Sequence, residues 1–167
     1  MNRKIGIDLK KKIISVENNP VLIQIWDTAG QERFRNSIPR DFYKNAHGVV
    51  LVYDTTKHIT FKNIKLWIET VRENSEINIP IFLVGNKVDL ENERQVSYNN
   101  GEVLSFEYNM KFFETSARSK LNVDEVFKQL IEMIYDKYKF DKKRIDEENK
   151  KRLFSVRFSE ERIKCCK

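Results

Sequence analysis

The chain has 167 residues, 40% of them hydrophobic and 34% charged, and a formal net charge of +6. That is about one domain's worth of chain, apolar enough to bury a core, which excludes a wholly disordered protein. Five glycines and three prolines exclude collagen-like sequence, two cysteines exclude a dense disulfide framework, and the longest apolar runs are too short to span a bilayer.

The first residues, Met-Asn-Arg-Lys-Ile-Gly-Ile-Asp, have no signal-peptide h-region, so a soluble intracellular domain is the expectation. From Ile5 to Val16 apolar and polar residues partly alternate, Asn18-Asn19-Pro20 signals a turn, and Val21–Trp26 reads as a strand, which predicts a hairpin. Two short continuous apolar runs follow, His47–Tyr53 and Ile79–Gly85, of the kind buried on both faces of a parallel sheet. A shorter run lies at Lys111–Glu114. Between these runs the spacing turns helical: Phe61, Ile64, Leu66-Trp67-Ile68 and Val71, then Val103, Leu104 and Phe106 after a start at Ser97. Val123, Val126-Phe127, Leu130-Ile131, Ile134 and Tyr138 form a strong amphipathic helix, with Asn122 placed to cap it. Strands alternating with helices predict an open α/β sheet. Beyond Phe140 the periodicity weakens, and residues 141–167 read as a mobile extension to a domain spanning 1–140.

In such sheets ligands sit beyond the carboxyl ends of the strands. After Trp26 comes Asp27-Thr28-Ala29-Gly30-Gln31. A carboxylate there can hold Mg²⁺ through water, a glycine lets a backbone N–H approach a phosphate, and a glutamine can orient an attacking water. Taken alone, this segment reads more readily as an ordinary strand-to-loop turn. After Gly85 comes Asn86-Lys87-Val88-Asp89. Asp89 can accept two hydrogens from the N1 and N2 edge of guanine, a donor pair adenine lacks. Asn86 can brace the loop, and the aliphatic stem of Lys87 can cover a purine face. After the third strand comes Thr115-Ser116-Ala117-Arg118, where a backbone N–H could meet the base's O6. Each segment alone is commonly a capped loop, but all three at successive strand ends are hard to attribute to chance.

The sequence resembles the Rab branch of the Ras-like small GTPases. The resemblance is carried by Ile5-Gly6-Ile7-Asp8, Trp26-Asp27-Thr28-Ala29-Gly30-Gln31-Glu32-Arg33-Phe34, Phe42-Tyr43-Lys44-Asn45-Ala46-His47-Gly48 and Leu51-Val52-Tyr53-Asp54-Thr55-Thr56. Asn86-Lys87-Val88-Asp89 and Thr115-Ser116-Ala117 resemble the family's guanine-specificity loops. The match covers about residues 4–140. It implies a Ras-like P-loop NTPase fold with a mostly parallel sheet flanked by helices. It implies GTP and GDP as ligands with Mg²⁺, Gln31 positioning the hydrolytic water, Asp27 near Mg²⁺ through water, and Gly30 at the γ-phosphate. Asn86, Lys87, Asp89, Ser116, Ala117 and Arg118 would contact the nucleotide, and Ile5, Trp26, Phe34 and Tyr43 would lie on or near the surface that effectors read, although core packing also accounts for Trp26 in part. Partners implied are effectors, an exchange factor, a GTPase-activating protein, an escort protein and a GDP-dissociation inhibitor. The implied location is the cytoplasmic face of intracellular membranes in vesicle traffic, in exchange with the cytosol.

The sequence departs from that family in three ways. No Gly-x-x-x-x-Gly-Lys-[Ser/Thr] occurs in the 167 residues, Lys4 stands where a Mg²⁺-binding threonine is expected, and Arg118 stands where a lysine is usual. By resemblance the first strand, the phosphate loop and the first helix are missing. The missing strand would lie between those at 21–26 and 48–54, which would leave two apolar edges open. A truncated gene model is the favoured explanation, and a degenerate member in which those two strands pair directly is the rival. The alternative function is a nucleotide-impaired interaction module or a fragment without GTPase activity.

The charge is unevenly placed. Residues 1–136 hold 19 basic and 19 acidic residues, and residues 137–167 hold 12 and 6. A neutral body with a basic tail points to an anionic surface rather than to nucleic acid, and from charge alone a solvated tail with no partner is an equal reading. Cys165-Cys166, followed by Lys167, resembles the family's geranylgeranylation site, and two prenyl chains would supply the two signals that stable anchoring needs. Two unmodified exposed thiols are the plainer reading.

Overall fold

The structure, a computed structural model, describes residues 8–28, 38–150 and 162–166. Strands β1 (Asp8–Val16) and β2 (Asn19–Asp27) form the expected antiparallel hairpin, in register from Asp8 opposite Asp27 to Val16 opposite Asn19. Its turn lies one residue earlier than the Asn-Asn-Pro signal suggests. Glu17 (φ 48°) and Asn18 (φ 66°) make a two-residue turn, the pattern that matches the twist of paired strands, and Asn19-Pro20 opens β2.

The chain then alternates as predicted. Helix α1 (Arg40–Lys44) precedes β3 (Gly48–Asp54); α2 (His58–Lys62) and α3 (Ile64–Asn74) precede β4 (Ile81–Asn86). The helical spacing from Phe61 to Val71 is thus split between two helices at Asn63. Helix α4 (Tyr98–Glu107) precedes β5 (Lys111–Thr115), and the Ser97 side chain accepts from the Asn100 N–H as its N-cap. Helix α5 (Val123–Lys150) follows, and continues past Phe140, where the apolar pattern fades. Asn122 directly precedes it, but with φ 57° and its amide donating to the Glu114 carbonyl at 2.8 Å; it ties the helix start to the end of β5.

The sheet order is β1-β2-β6-β3-β4-β5, parallel from β2 onward. Alternation along the strands sends side chains to two cores. Val49, Leu51, Tyr53 and Leu83 pack with Tyr43 of α1, Ile64, Ile68 and Val71 of α3 and Leu104 of α4. Val50, Phe82 and Val84 pack with Val21 and Ile23 of β2 and with Val126, Leu130, Ile131 and Ile134 of α5. Helices therefore cover both faces, which is why β3 and β4 are continuous apolar runs.

Strand β6 (Arg162–Cys166) lies where the resemblance leaves a gap, between β2 and β3. The two strands do not pair with each other; the C-terminal segment runs parallel between them, Leu22–Trp26 opposite Arg162–Cys166 on one side and Gly48 and Val49 opposite Cys165 and Cys166 on the other. This differs from the mobile extension expected for residues 141–167: its first part continues α5, and Arg162–Cys166 joins the sheet. The physical reason is the need of two interior strand edges for hydrogen-bond partners.

Candidate functional site

The parallel register lines up the strand ends. Asp54 lies opposite Asn86, and Asn86 opposite Thr115, so the segments that follow β3, β4 and β5 meet along one edge of the sheet. Their contacts make a connected network.

Asn86 is its centre. Its side-chain Oδ1 accepts from the Ala117 N–H at 3.1 Å and from Thr115 Oγ1 at 3.3 Å, and its carbonyl accepts from the N–H and the hydroxyl of Thr55, both at 3.0 Å. The bracing role expected of Asn86 is thus seen in its bonds to both neighbouring loops. The Val88 N–H donates to the Thr115 carbonyl at 3.2 Å, which adds a backbone tie between the same loops.

Asp89 and Ser116, from the segments after β4 and β5, meet directly. Ser116, fully buried, donates to Asp89 Oδ1 at 2.6 Å and accepts from the Ser119 N–H at 3.0 Å. Asp89 itself is exposed. A carboxylate has about four acceptor sites, so one bond from Ser116 fixes its orientation while leaving capacity for two donors from outside. Ala117 and Arg118 are exposed beside it. The Ala117 N–H, a candidate for the base's O6, is engaged by Asn86.

Lys87 has φ 73°, left-handed backbone for a residue with a Cβ. Its Nζ lies 2.7 Å from Asp54 Oδ2. Asp54 Oδ1 accepts from the Thr56 N–H at 2.9 Å and the Thr56 hydroxyl at 2.7 Å. Burial pushes the Asp54 carboxyl up, but the Lys87 ammonium and the Thr56 hydrogen bonds outweigh it and hold it below the usual carboxylate range. The Lys87 ammonium is correspondingly raised by its bond to Asp54. A cavity of about 250 Å³ opens here, lined in part by Asp54, Thr60, Asn63, Asn86 and Lys87. Behind the network Arg94 grips Glu114 with two bonds, at 2.5 and 2.9 Å, and anchors the end of β5. Asp54, Thr55, Thr56 and Arg94 carry no role in the sequence reading. Only the register of β3 against β4 shows that Asp54 faces the Asn86 loop.

The remaining predicted residues fall elsewhere. Asp27 ends β2 and is exposed. Trp26 is half-buried, packed edge-on against Phe42 at 4.9 Å, with its Nε1 buried and without a partner among the described residues. Tyr43 departs from the surface expectation: it is 6% exposed and belongs to the α1–α3 core, because α1 turns it inward. Ile5, Gly30, Gln31 and Phe34 lie outside the described residues. Cys165 and Cys166 lie in β6.

The donor set fits guanine and does not by itself fit a metal–phosphate group. Asp89, held by Ser116, is an oriented, exposed carboxylate that could accept a pair of N–H donors. Among the described residues no cluster of His, Cys, Asp or Glu could hold a metal ion, and Asp27 is the single candidate carboxylate at the end of β2. Grooves of about 620 Å³ between the hairpin and α5 and about 330 Å³ beside α1 and α3 share no residue with the Asn86 and Thr115 loops, so size does not locate this site.

A model of the Ras family matches residues 1–136. With that match, the α/β fold and the three loops at the strand ends, the chain belongs to the Ras family of small GTPases. Within it the kinship is with Rabs. Over 126 residues the chain is 44% identical to Ras-related protein Rab-13 of Rattus norvegicus, an alignment covering 75% of this chain and 62% of that protein. Over 123 residues it is 46% identical to Ras-related protein Rab-8B of Pongo abelii and of Homo sapiens, covering 74% of this chain and 59% of those proteins. The chain thus aligns with about three fifths of the length of these relatives.

Proposed function

We propose that the Asn86 and Thr115 loops bind guanine, and that the protein acts as a Rab-type switch on membrane surfaces in vesicle traffic. The observation that carries the first part is the Ser116–Asp89 bond at 2.6 Å, which presets a surface carboxylate for the N1 and N2 edge of the base. Preset donors and acceptors bind better because less ordering remains to be done on association. Asn86 ties the two loops together, and Asp54 holds the Lys87 ammonium.

The finer reading follows the family. GTP and GDP would be the ligands, with Mg²⁺; Gln31 would align the water for hydrolysis, and Asp27 and Gly30 would lie at the phosphate end. Effectors, exchange and activating factors, an escort protein and a dissociation inhibitor would be the partners, and Cys165 and Cys166 the points of lipid attachment. No described helix is long and apolar enough to cross a membrane.

A second reading is a membrane-tethered interaction module that binds nucleotide weakly or not at all. Titration of the purified chain with GDP and Mg²⁺ separates them. A dissociation constant in the micromolar range or below supports the switch. A folded far-UV spectrum with no binding supports the module. For the anchor, Cys165→Ser with Cys166→Ser should move the protein from the membrane fraction to the cytosol; unchanged membrane association would refute lipid attachment there.

A further inference from the structure

Lys87 stands where β4 passes into the loop that carries Asp89, and its backbone is left-handed, with φ 73°. A residue with a Cβ is strained there, so its surroundings must hold it. Its carbonyl accepts from the Leu90 N–H at 3.0 Å, which closes a four-residue turn with Asp89 in third place. The conformation at Lys87 therefore decides where the Asp89 carboxylate stands.

A side chain from another strand secures that residue. Asp54, at the end of β3, lies opposite Asn86 in the sheet register, and its Oδ2 is 2.7 Å from Lys87 Nζ. Asp54 is itself fixed: Oδ1 accepts from the N–H and the hydroxyl of Thr56, and the side chain is only 13% exposed. One carboxylate oxygen thus anchors to β3's own end while the other grips Lys87. Asp89 and Glu93 also attract the ammonium, but the close contact is made to Asp54.

We infer that Asp54 is a positioning residue for base binding: by holding the Lys87 ammonium it keeps the Lys87–Leu90 turn in the form that presents Asp89. Its consequence for nucleotide rests on the guanine reading above, whereas the hold on the turn stands on the contacts alone.

Asp54→Asn in the full chain tests it. The amide is isosteric, but with its carbonyl on Thr56 it turns an NH₂ toward the Lys87 ammonium, donor against donor. Without nucleotide, amide hydrogen exchange at Val88 and Leu90 should quicken about tenfold beyond any change in β4 and β5, the mark of a local opening. GDP affinity should fall about tenfold, roughly one charge-assisted hydrogen bond. Lys87→Met keeps an aliphatic stem and removes the ammonium; in that background Asp54→Asn should change neither measurement further. A merely structural aspartate would loosen the sheet as a whole and act equally with or without Lys87. Unchanged exchange at Val88 and Leu90, or an effect that persists in Lys87→Met, would overturn the positioning role. Asp89→Asn, titrated alongside, isolates the guanine reading. If it leaves GDP affinity unchanged, that reading fails and the exchange at Val88 and Leu90 still decides the hold on the turn. If Asp89→Asn loses GDP affinity and Asp54→Asn does not, the base stays at Asp89 and the positioning role is overturned.

Discussion

Ser116 illustrates how one buried hydroxyl sets a functional group. It is fully buried, yet its bond to the exposed Asp89 carries the orientation of the core to the surface. Ser116→Ala would free the carboxylate to rotate, so guanine affinity should fall about tenfold, roughly one charge-assisted hydrogen bond, in a nucleotide titration. A fall in thermal stability without any fall in affinity would show that the serine is structural only. Asp54 gives a pH signature. Its folded-state carboxyl titrates below the usual carboxylate range, so its contribution to stability is present above the ordinary aspartate value and lost as pH falls through the lower folded one. The stability gap between the wild type and Asp54→Asn, measured by denaturant unfolding, should be full at neutral pH and shrink on acidification below about pH 4. At this scale the sequence singled out Asn86, Asp89 and Ser116, which the structure brings into one network. It was silent on Asp54, whose place depends on strand register, and misleading on Tyr43, because an aromatic in a family-like stretch looks the same whether it faces solvent or core.

The elements were legible because their apolar periods are strong. The runs at 47–53 and 79–85 became β3 and β4 nearly as read, and the helical spacing after Asn122 became α5. Boundaries were less legible where backbone geometry decides. The hairpin turn fell on Glu17-Asn18, since a two-residue turn of positive φ fits the register, and α2 and α3 divide at Asn63 without a glycine or proline to announce it. Packing between elements yields its own prediction. Leu130 of α5 is fully buried against β4 side chains, so Leu130→Ala should cost about 2–5 kcal/mol of unfolding free energy in a denaturant titration. Gly101 of α4 sits so close to Phe112 that an added Cβ would lie 2.3 Å from its ring. Gly101→Ala should therefore destabilise by about 1–3 kcal/mol through overpacking, even though alanine favours helix. An increase in stability would mean that the Phe112 ring moves aside freely.

Across the whole molecule, the net charge of +6 lies after residue 136, and the rest of the chain is balanced. The same region supplies α5's extension and β6, so part of what composition marks as a solvated tail belongs to the sheet. That placement was not legible, because Arg-Ile-Lys-Cys-Cys has neither the alternation nor the apolar content of an interior strand; only the unmet hydrogen bonds of β2 and β3 call for it. The meeting of the Asn86 and Thr115 segments at one sheet edge was legible in outline, since neighbouring parallel strands bring their carboxyl ends together, but the segment after β3 that joins them was not. The central claim is that Asp89 reads the base, and competition between guanine and xanthine nucleotides measures it most directly. The account predicts that the wild type prefers GDP over XDP and that Asp89→Asn reverses the preference, with GDP affinity lowered about hundredfold as paired hydrogen bonds to a charged acceptor are lost. Unchanged GDP affinity in Asp89→Asn would contradict the placement of the base.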